Sequence, residues 1–130
     1  MKWYLNIMTQ YVNFSGRARR TEYWMFVLFY TIILITALIL DNILGFDFKY
    51  ELMGQSVSAG YGWGYLLAAA LHFLPALGTV VRRLHDVGKS GWMYLIVLIP
   101  LIGVIWLLVL LVKDSQEGEN IYGPNPKATT

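Results

Sequence analysis

Tyr23-Trp24-Met25-Phe26-Val27-Leu28-Phe29-Tyr30-Thr31-Ile32-Ile33-Leu34-Ile35-Thr36-Ala37-Leu38-Ile39-Leu40 contains no Asp, Glu, Lys or Arg. Crossing about 30 Å of hydrocarbon at about 1.5 Å per helical residue takes about 20 residues, with about 17 to 25 as the working range. A helix of this length inside a soluble protein would keep a polar stripe, and this one has none. Residues 61–81 and 92–112 are equally free of charged side chains. The expected fold is therefore an all-α membrane protein with three transmembrane helices, over residues 23–40, 61–81 and 92–112. Pro75 removes a backbone donor inside the second and predicts a kink there. Pro100 and Gly103 offer an alternative for the third, in which it bends into a re-entrant hairpin instead of crossing.

Composition agrees with a lipid environment. The chain has 130 residues, 57% of them hydrophobic and only 14% charged, and its mean hydropathy is +0.52. Soluble domains carry roughly 25% charged residues. The length suits one membrane domain. The absence of Cys excludes disulfides, thiol chemistry and Cys-based zinc sites. The first long apolar run ends at Asp41 without an A-x-A-like cleavage site, so it reads as an uncleaved anchor.

Around these spans the charges are unevenly spread. Lys2, Arg17, Arg19 and Arg20 precede the first span, and Arg82, Arg83 and Lys89 lie between the second and third. The loop between the first and second holds Lys49 against Asp41, Asp47 and Glu51. By the positive-inside rule the amino terminus and the 82–91 loop face the cytoplasm. Three full crossings would then put the polar tail, residues 113–130, outside. Tyr23, Trp24, Tyr61, Trp63, Tyr65, Trp92 and Tyr94 stand at the span entrances, where amphipathic rings favour the headgroup level.

Residues 2–14 are expected to form an amphipathic interfacial helix. At about 100° per residue, Trp3, Tyr4, Leu5, Ile7, Met8, Tyr11, Val12 and Phe14 share a face, and Lys2, Asn6, Thr9, Gln10 and Asn13 oppose them. Packing of this helix against the membrane domain is compatible with that placement.

Three segments carry the informative polar residues. In residues 16–24, Arg17, Arg19 and Arg20 crowd the mouth of the first span, where they serve as a topology signal or as a guanidinium cluster for phosphate or carboxylate. Glu22 stands at i+3 from Arg19 and can pair with it. In residues 82–92, Gly88 is placed to end a helix with φ > 0 and Ser90 to cap the next, while Arg82 and Asp86 are spaced to pair across one turn. His85 and Asp86 are adjacent and so point about 100° apart, which argues against a dyad, and they are too few for a metal site. In residues 120–126, Gly123, Pro124 and Pro126 fix a turn, with Tyr122 as an anchor. His72 lies inside a span, where a neutral imidazole donating to a neighbouring helix's carbonyl is the simplest reading.

Together these segments resemble the domain-of-unknown-function family 805 (DUF805), small bacterial inner-membrane proteins. The resemblance runs from Trp3-Tyr4 through Gly16-Arg17-Ala18-Arg19-Arg20, Glu22-Tyr23-Trp24 and Arg82-Arg83-Leu84-His85-Asp86 to residues 120–126. It implies a location, the bacterial inner membrane, and no reaction.

The function expected is non-enzymatic. A cytoplasmic face of Arg17, Arg19, Arg20, Glu22, Arg82, Arg83, His85 and Asp86 would bind anionic lipid headgroups or a membrane-protein partner, or would act as an ionic network that fixes helix packing. An oligomeric small channel or transporter is the alternative, with Gly60, Gly62, Gly64 and Ala68–Ala70 as small surfaces for homo-oligomer contact. No cofactor, metal site or catalytic residue is assigned. The basic residues sit at the bilayer surface, so nucleic acid is not expected.

Overall fold

The computed structural model describes residues 1–129. Its α-helices are Lys2–Thr9 (α1), Arg20–Leu44 (α2), Trp63–Asp86 (α3) and Ile102–Val112 (α4). A 3-10 helix over Gly91–Leu98 precedes α4, and a short one covers Pro126–Thr129. Two strands, Asp47–Leu52 (β1) and Gln55–Gly62 (β2), pair antiparallel. The chain divides into two compact units: one comprises Met1–Phe26 and the chain from Pro75 onward, the other Val27–Leu74.

Among the described residues, two helices are long and apolar enough to cross a membrane. α2 has 25 residues and α3 has 24, and only 11% and 22% of their most apolar windows are buried. A core helix of a soluble protein would be mostly covered. Along α2, Leu28, Ile32, Ile35 and Ile39 recur at helical spacing and are all about half exposed, a surface that hydrocarbon satisfies and water does not. α3 continues through Pro75, and the Thr79 hydroxyl donates to the Pro75 carbonyl at 2.6 Å.

The all-α expectation fails at residues 47–62, which form a β-hairpin. Met53 and Gly54 both take positive φ, 53° and 81°. That pairing is the type I′ geometry whose twist matches two antiparallel strands. Phe48 packs edge-on against Tyr61 and Trp63, with centroids 5.5 and 5.1 Å apart.

Asp41 connects α2 to the start of α3. It is 1% exposed, and its carboxylate accepts from the backbone N–H groups of Gly62, Gly64 and Tyr65 at 3.0, 2.9 and 2.8 Å. The first N–H groups of a helix have no partner within it, and this carboxylate supplies one from another helix. A Cβ on Gly64 would lie 2.5 Å from the Asp41 Oδ1. Of Gly60, Gly62 and Gly64, two have close neighbours inside the unit: Gly64 admits a carboxylate and Gly62 lies against the Phe46 backbone. His72 Nδ1 meets the Ala68 carbonyl of its own helix at 2.7 Å, not a neighbour's, and its ring stacks on Tyr30.

The third expected span, residues 92–112, is not a continuous helix. The 3-10 helix ends at Leu98, the chain turns through Ile99, Pro100 and Leu101, and α4 follows with only 11 residues. Pro100 cannot donate to a helical ladder, and Leu101 sits at φ 62°, outside the helical region. The two pieces then fold closely together, since a Cβ on Gly103 would overlap the backbone carbonyl of Ile96. An 11-residue helix rises about 16 Å, half the hydrocarbon thickness. Both ends of the segment return to the last turns of α3. Gly91 lies against Val81, and the Leu111 carbonyl accepts from Arg83 Nε at 3.1 Å. This is the hairpin geometry that Pro100 and Gly103 permit.

The amino-terminal helix is shorter than residues 2–14 and is turned differently. α1 ends at Thr9. Ile7 is fully buried and Tyr4 stacks on Phe26 at 5.9 Å, yet Leu5 and Val12 are exposed. Its exposed Asn6 reaches Glu22 with its side-chain amide at 3.3 Å, because a buried carboxylate needs donors.

Candidate functional site

Arg17, Glu22, Arg82, Arg83 and Asp86, expected on one charged face, have side chains closed to solvent and form an internal clasp. Asp86 and Arg83 are fully buried, and the Arg17 side chain is 1% exposed. Arg17 Nε donates to Asp86 Oδ1 at 3.1 Å. Asp86 Oδ2 accepts from Arg83 Nη1 and from the Ser115 hydroxyl, the latter at 2.6 Å. The remaining guanidinium donors meet backbone carbonyls. Arg17 reaches Gln116 at 2.6 Å, Gly118 at 2.8 Å and Gly123 at 3.3 Å. Arg83 reaches Leu111, Lys113 and Ala18. Two cations on one carboxylate leave a local excess of positive charge. The α4 carboxyl end, the negative pole of that helix, helps to offset it.

α4 ends on this cluster for a definite reason. Its last carbonyls lack helical partners. Arg83 Nε and Trp24 Nε1 donate to Leu111 at 3.1 and 3.2 Å, and Arg20 Nη1 donates to Val112 at 3.2 Å.

Glu22 and Arg82 form a second pair, 3.6 Å apart and 8% and 3% exposed. Asn6 Nδ2 donates to Glu22 at 3.3 Å. Gln10 Oε1 accepts from Arg82 Nη1 at 3.0 Å, and Arg82 Nη2 reaches the Thr79 hydroxyl at 3.5 Å. The pairings foreseen from spacing are thereby rearranged. Asp86 takes Arg83 and Arg17 in place of Arg82, and Glu22 takes Arg82. Arg19 lies over the Trp3 ring, 5.3 Å from its centroid. Arg17, Glu22, Arg82, Arg83 and Asp86 come together in pairs within one unit, while Arg19 and Arg20 stand at its edge.

His85 joins the clasp to the tail. Its Nδ1 lies 3.0 Å from the Gly16 carbonyl; a carbonyl only accepts, so Nδ1 carries the hydrogen. Its ring stacks flat on Tyr122, with centroids 3.9 Å apart and planes 3° apart. Asn120 Nδ2 donates to the His85 carbonyl at 3.0 Å. Tyr122 is therefore the anchor its setting suggests. Gly88, at φ 80°, closes α3 with Lys89 N–H on the Leu84 carbonyl at 2.8 Å, the Schellman pattern. Ser90 caps the 3-10 helix by accepting from Trp92 N–H at 3.3 Å.

A cavity of about 410 Å³ opens beside this junction, lined by Phe14, Leu77, Val81, His85, Ser90, Gly91, Trp92, Tyr94 and Leu95. His85, Ser90, Tyr94 and the Trp92 indole bring polar side-chain groups to a mostly apolar wall. Sequence reasoning missed this cavity, because it forms only when the 3-10 helix folds against α3. It also missed Ser115, Gln116, Asn6 and Gln10, polar residues whose roles depend on long-range pairing.

A family model described as "Protein of unknown function (DUF805)" matches residues 11–124. The chain is 42% identical over 127 residues to the inner membrane protein YhaI of Escherichia coli strain K12, covering 98% of this chain and 97% of that one. It is 39% identical over 127 residues to the inner membrane protein YhaH of the same strain, covering 98% of each. No solved structure matches.

Proposed function

The chain belongs to the DUF805 family of inner-membrane proteins, and from that membership we propose that it is a non-enzymatic, two-span protein whose clasped cytoplasmic unit engages membrane lipid. The spans are α2 and α3. The segment from Gly91 to Val112 enters the bilayer from the cytoplasmic side and returns to it. The carrying observation is the meeting of Arg17, Asp86 and Gln116: the amino-terminal segment, the end of α3 and the tail share one hydrogen-bonded cluster. Charged pairs of this kind favour one aqueous side over two. Lys2, Arg17, Arg19 and Arg20, up to the start of α2, and Arg82, Arg83 and Lys89, at and after the end of α3, make that side the cytoplasm.

Within this reading the arginines divide into two roles. Arg17, Arg82 and Arg83 are spent on internal carboxylates and carbonyls and hold the unit together. Arg20, which gives Nη1 to the Val112 carbonyl, and Lys2 are exposed and, with Arg19, are placed to meet anionic headgroups, each worth about 1 kcal/mol near the surface. Fusing a reporter active only in the cytoplasm to the carboxyl end tests the topology. Activity is expected, and a stable but inactive fusion would contradict it.

A further inference from the structure

The cavity beside His85 has a composition that points to its occupant. Its wall is apolar from Phe14, Leu77, Val81, Trp92 and Leu95. The 3-10 helix that forms one side continues outward as strongly exposed apolar surface, with Trp92 at 79% and Leu98 at 75%. That surface belongs to the part of the chain proposed above to lie in lipid, and Trp92 and Leu95 are shared between it and the cavity wall. At its polar side His85 has committed Nδ1 to the Gly16 carbonyl, which leaves Nε2 as the remaining polar atom of the ring. Ser90 lines the cavity, and the next residue back, Lys89, is exposed. Asp86, the nearest acid in sequence, is neutralised by Arg17 and Arg83. Among the described residues, no Asp or Glu lines the cavity.

We infer that this cavity seats one acyl chain of an anionic phospholipid, with the headgroup at His85, Ser90 and Lys89. The volume lies within the range of small-molecule sites, about 300–1,000 Å³, and the mix of apolar wall and few polar groups is theirs too. Lys89 supplies charge complementarity to a phosphate, and Ser90 and His85 supply short-range hydrogen bonds. The inference rests on the proposed topology, which the carboxyl-terminal reporter tests separately.

The test uses the full chain in nanodiscs of phosphatidylcholine with a trace of phosphatidylglycerol carrying a diazirine on one acyl chain. After illumination, peptides spanning residues 77–95 are expected to carry label that excess unlabelled phosphatidylglycerol displaces severalfold and excess phosphatidylcholine does not. Leu95→Trp, which fills the cavity, should lower that label severalfold and leave labelling of α2 unchanged. Lys89→Gln should narrow the preference between the two lipids. Label on residues 77–95 that phosphatidylglycerol fails to displace would overturn the site. Equal displacement by phosphatidylcholine would overturn the headgroup assignment. Because displacement is read on the unaltered protein, the outcome does not depend on any variant folding.

Discussion

Arg17 and Asp86, 69 residues apart in the chain, meet at 3.1 Å with both side chains closed to solvent. Removing one partner of a buried pair leaves an uncompensated charge, at a cost of about 3–5 kcal/mol. Asp86→Asn strands both Arg17 and Arg83, so it should destabilise the protein by that amount or abolish its accumulation in the membrane. Arg20→Gln, at an exposed position, should cost under about 1 kcal/mol. Unfolding in mild detergent, followed by tryptophan fluorescence, compares the two, and equal stability of the variants would remove the clasp from the account.

Gly103 sets the fold of the segment from Gly91 to Val112. A side chain there has no room beside the Ile96 carbonyl, so the 3-10 helix and α4 must part to admit one. Gly103→Ala is expected to destabilise by about 1–3 kcal/mol, against the small gain that Ala normally brings to a helix. Thermal unfolding measures the sign, and a gain in stability would mean that the two pieces are not in contact.

Asp41 supports the start of α3 through three backbone N–H groups. Asp41→Ala leaves them without an acceptor in a buried place, at about 1–3 kcal/mol. Amide hydrogen exchange should accelerate at residues 62–65 and much less at Arg82–Asp86. Unchanged protection at Gly64 and Tyr65 would show that the carboxylate does not cap the helix.

The tail carries a pH dependence of definite sign. The hydrogen bond from Lys127 Nζ, with the Ser115 N–H, holds the Asp114 carboxyl below its ordinary range. A carboxyl lowered in the folded state contributes stability above its unfolded value, about 3.9, and loses it as pH falls through the folded one. The Lys127–Asp114 contact should therefore weaken below about pH 4 and not between pH 5 and 8. Asp114→Asn should reproduce the loosened tail at neutral pH, seen as faster proteolysis after residue 114. The pair is exposed, with side chains 44% and 53% accessible, so the effect is local and small.

The sequence shows the two membrane-capable helices plainly, because a long run without charge has few other readings. It also shows the Gly88 and Ser90 caps and the Tyr122 anchor, all local features of turn chemistry. It shows the charged residues of the clasp but not their pairing. Arg82 and Asp86 are spaced for one helix turn, yet Glu22 draws Arg82 away and Arg17 arrives from a distant segment, and spacing along one helix carries no record of either. The β-hairpin escaped notice because Met53, with φ 53°, is not a residue that announces a type I′ turn, although Gly54 beside it is. Residues 92–112 have the composition of a span. Only Pro100 and Gly103 betray the bend, and composition alone cannot say whether they kink a helix or reverse it.

The central claim is that the tail and the amino-terminal segment share the cytoplasmic side, with α2 and α3 as the crossings. The chain has no Cys, so single cysteines report location without background. Met53, 97% exposed in the hairpin turn, and Glu117, exposed in the tail, are suited to this. With a membrane-impermeant maleimide on sealed spheroplasts, Met53→Cys should be labelled and Glu117→Cys should remain unlabelled until the membrane is opened. Labelling of Glu117→Cys in sealed spheroplasts would restore a third crossing and contradict the account.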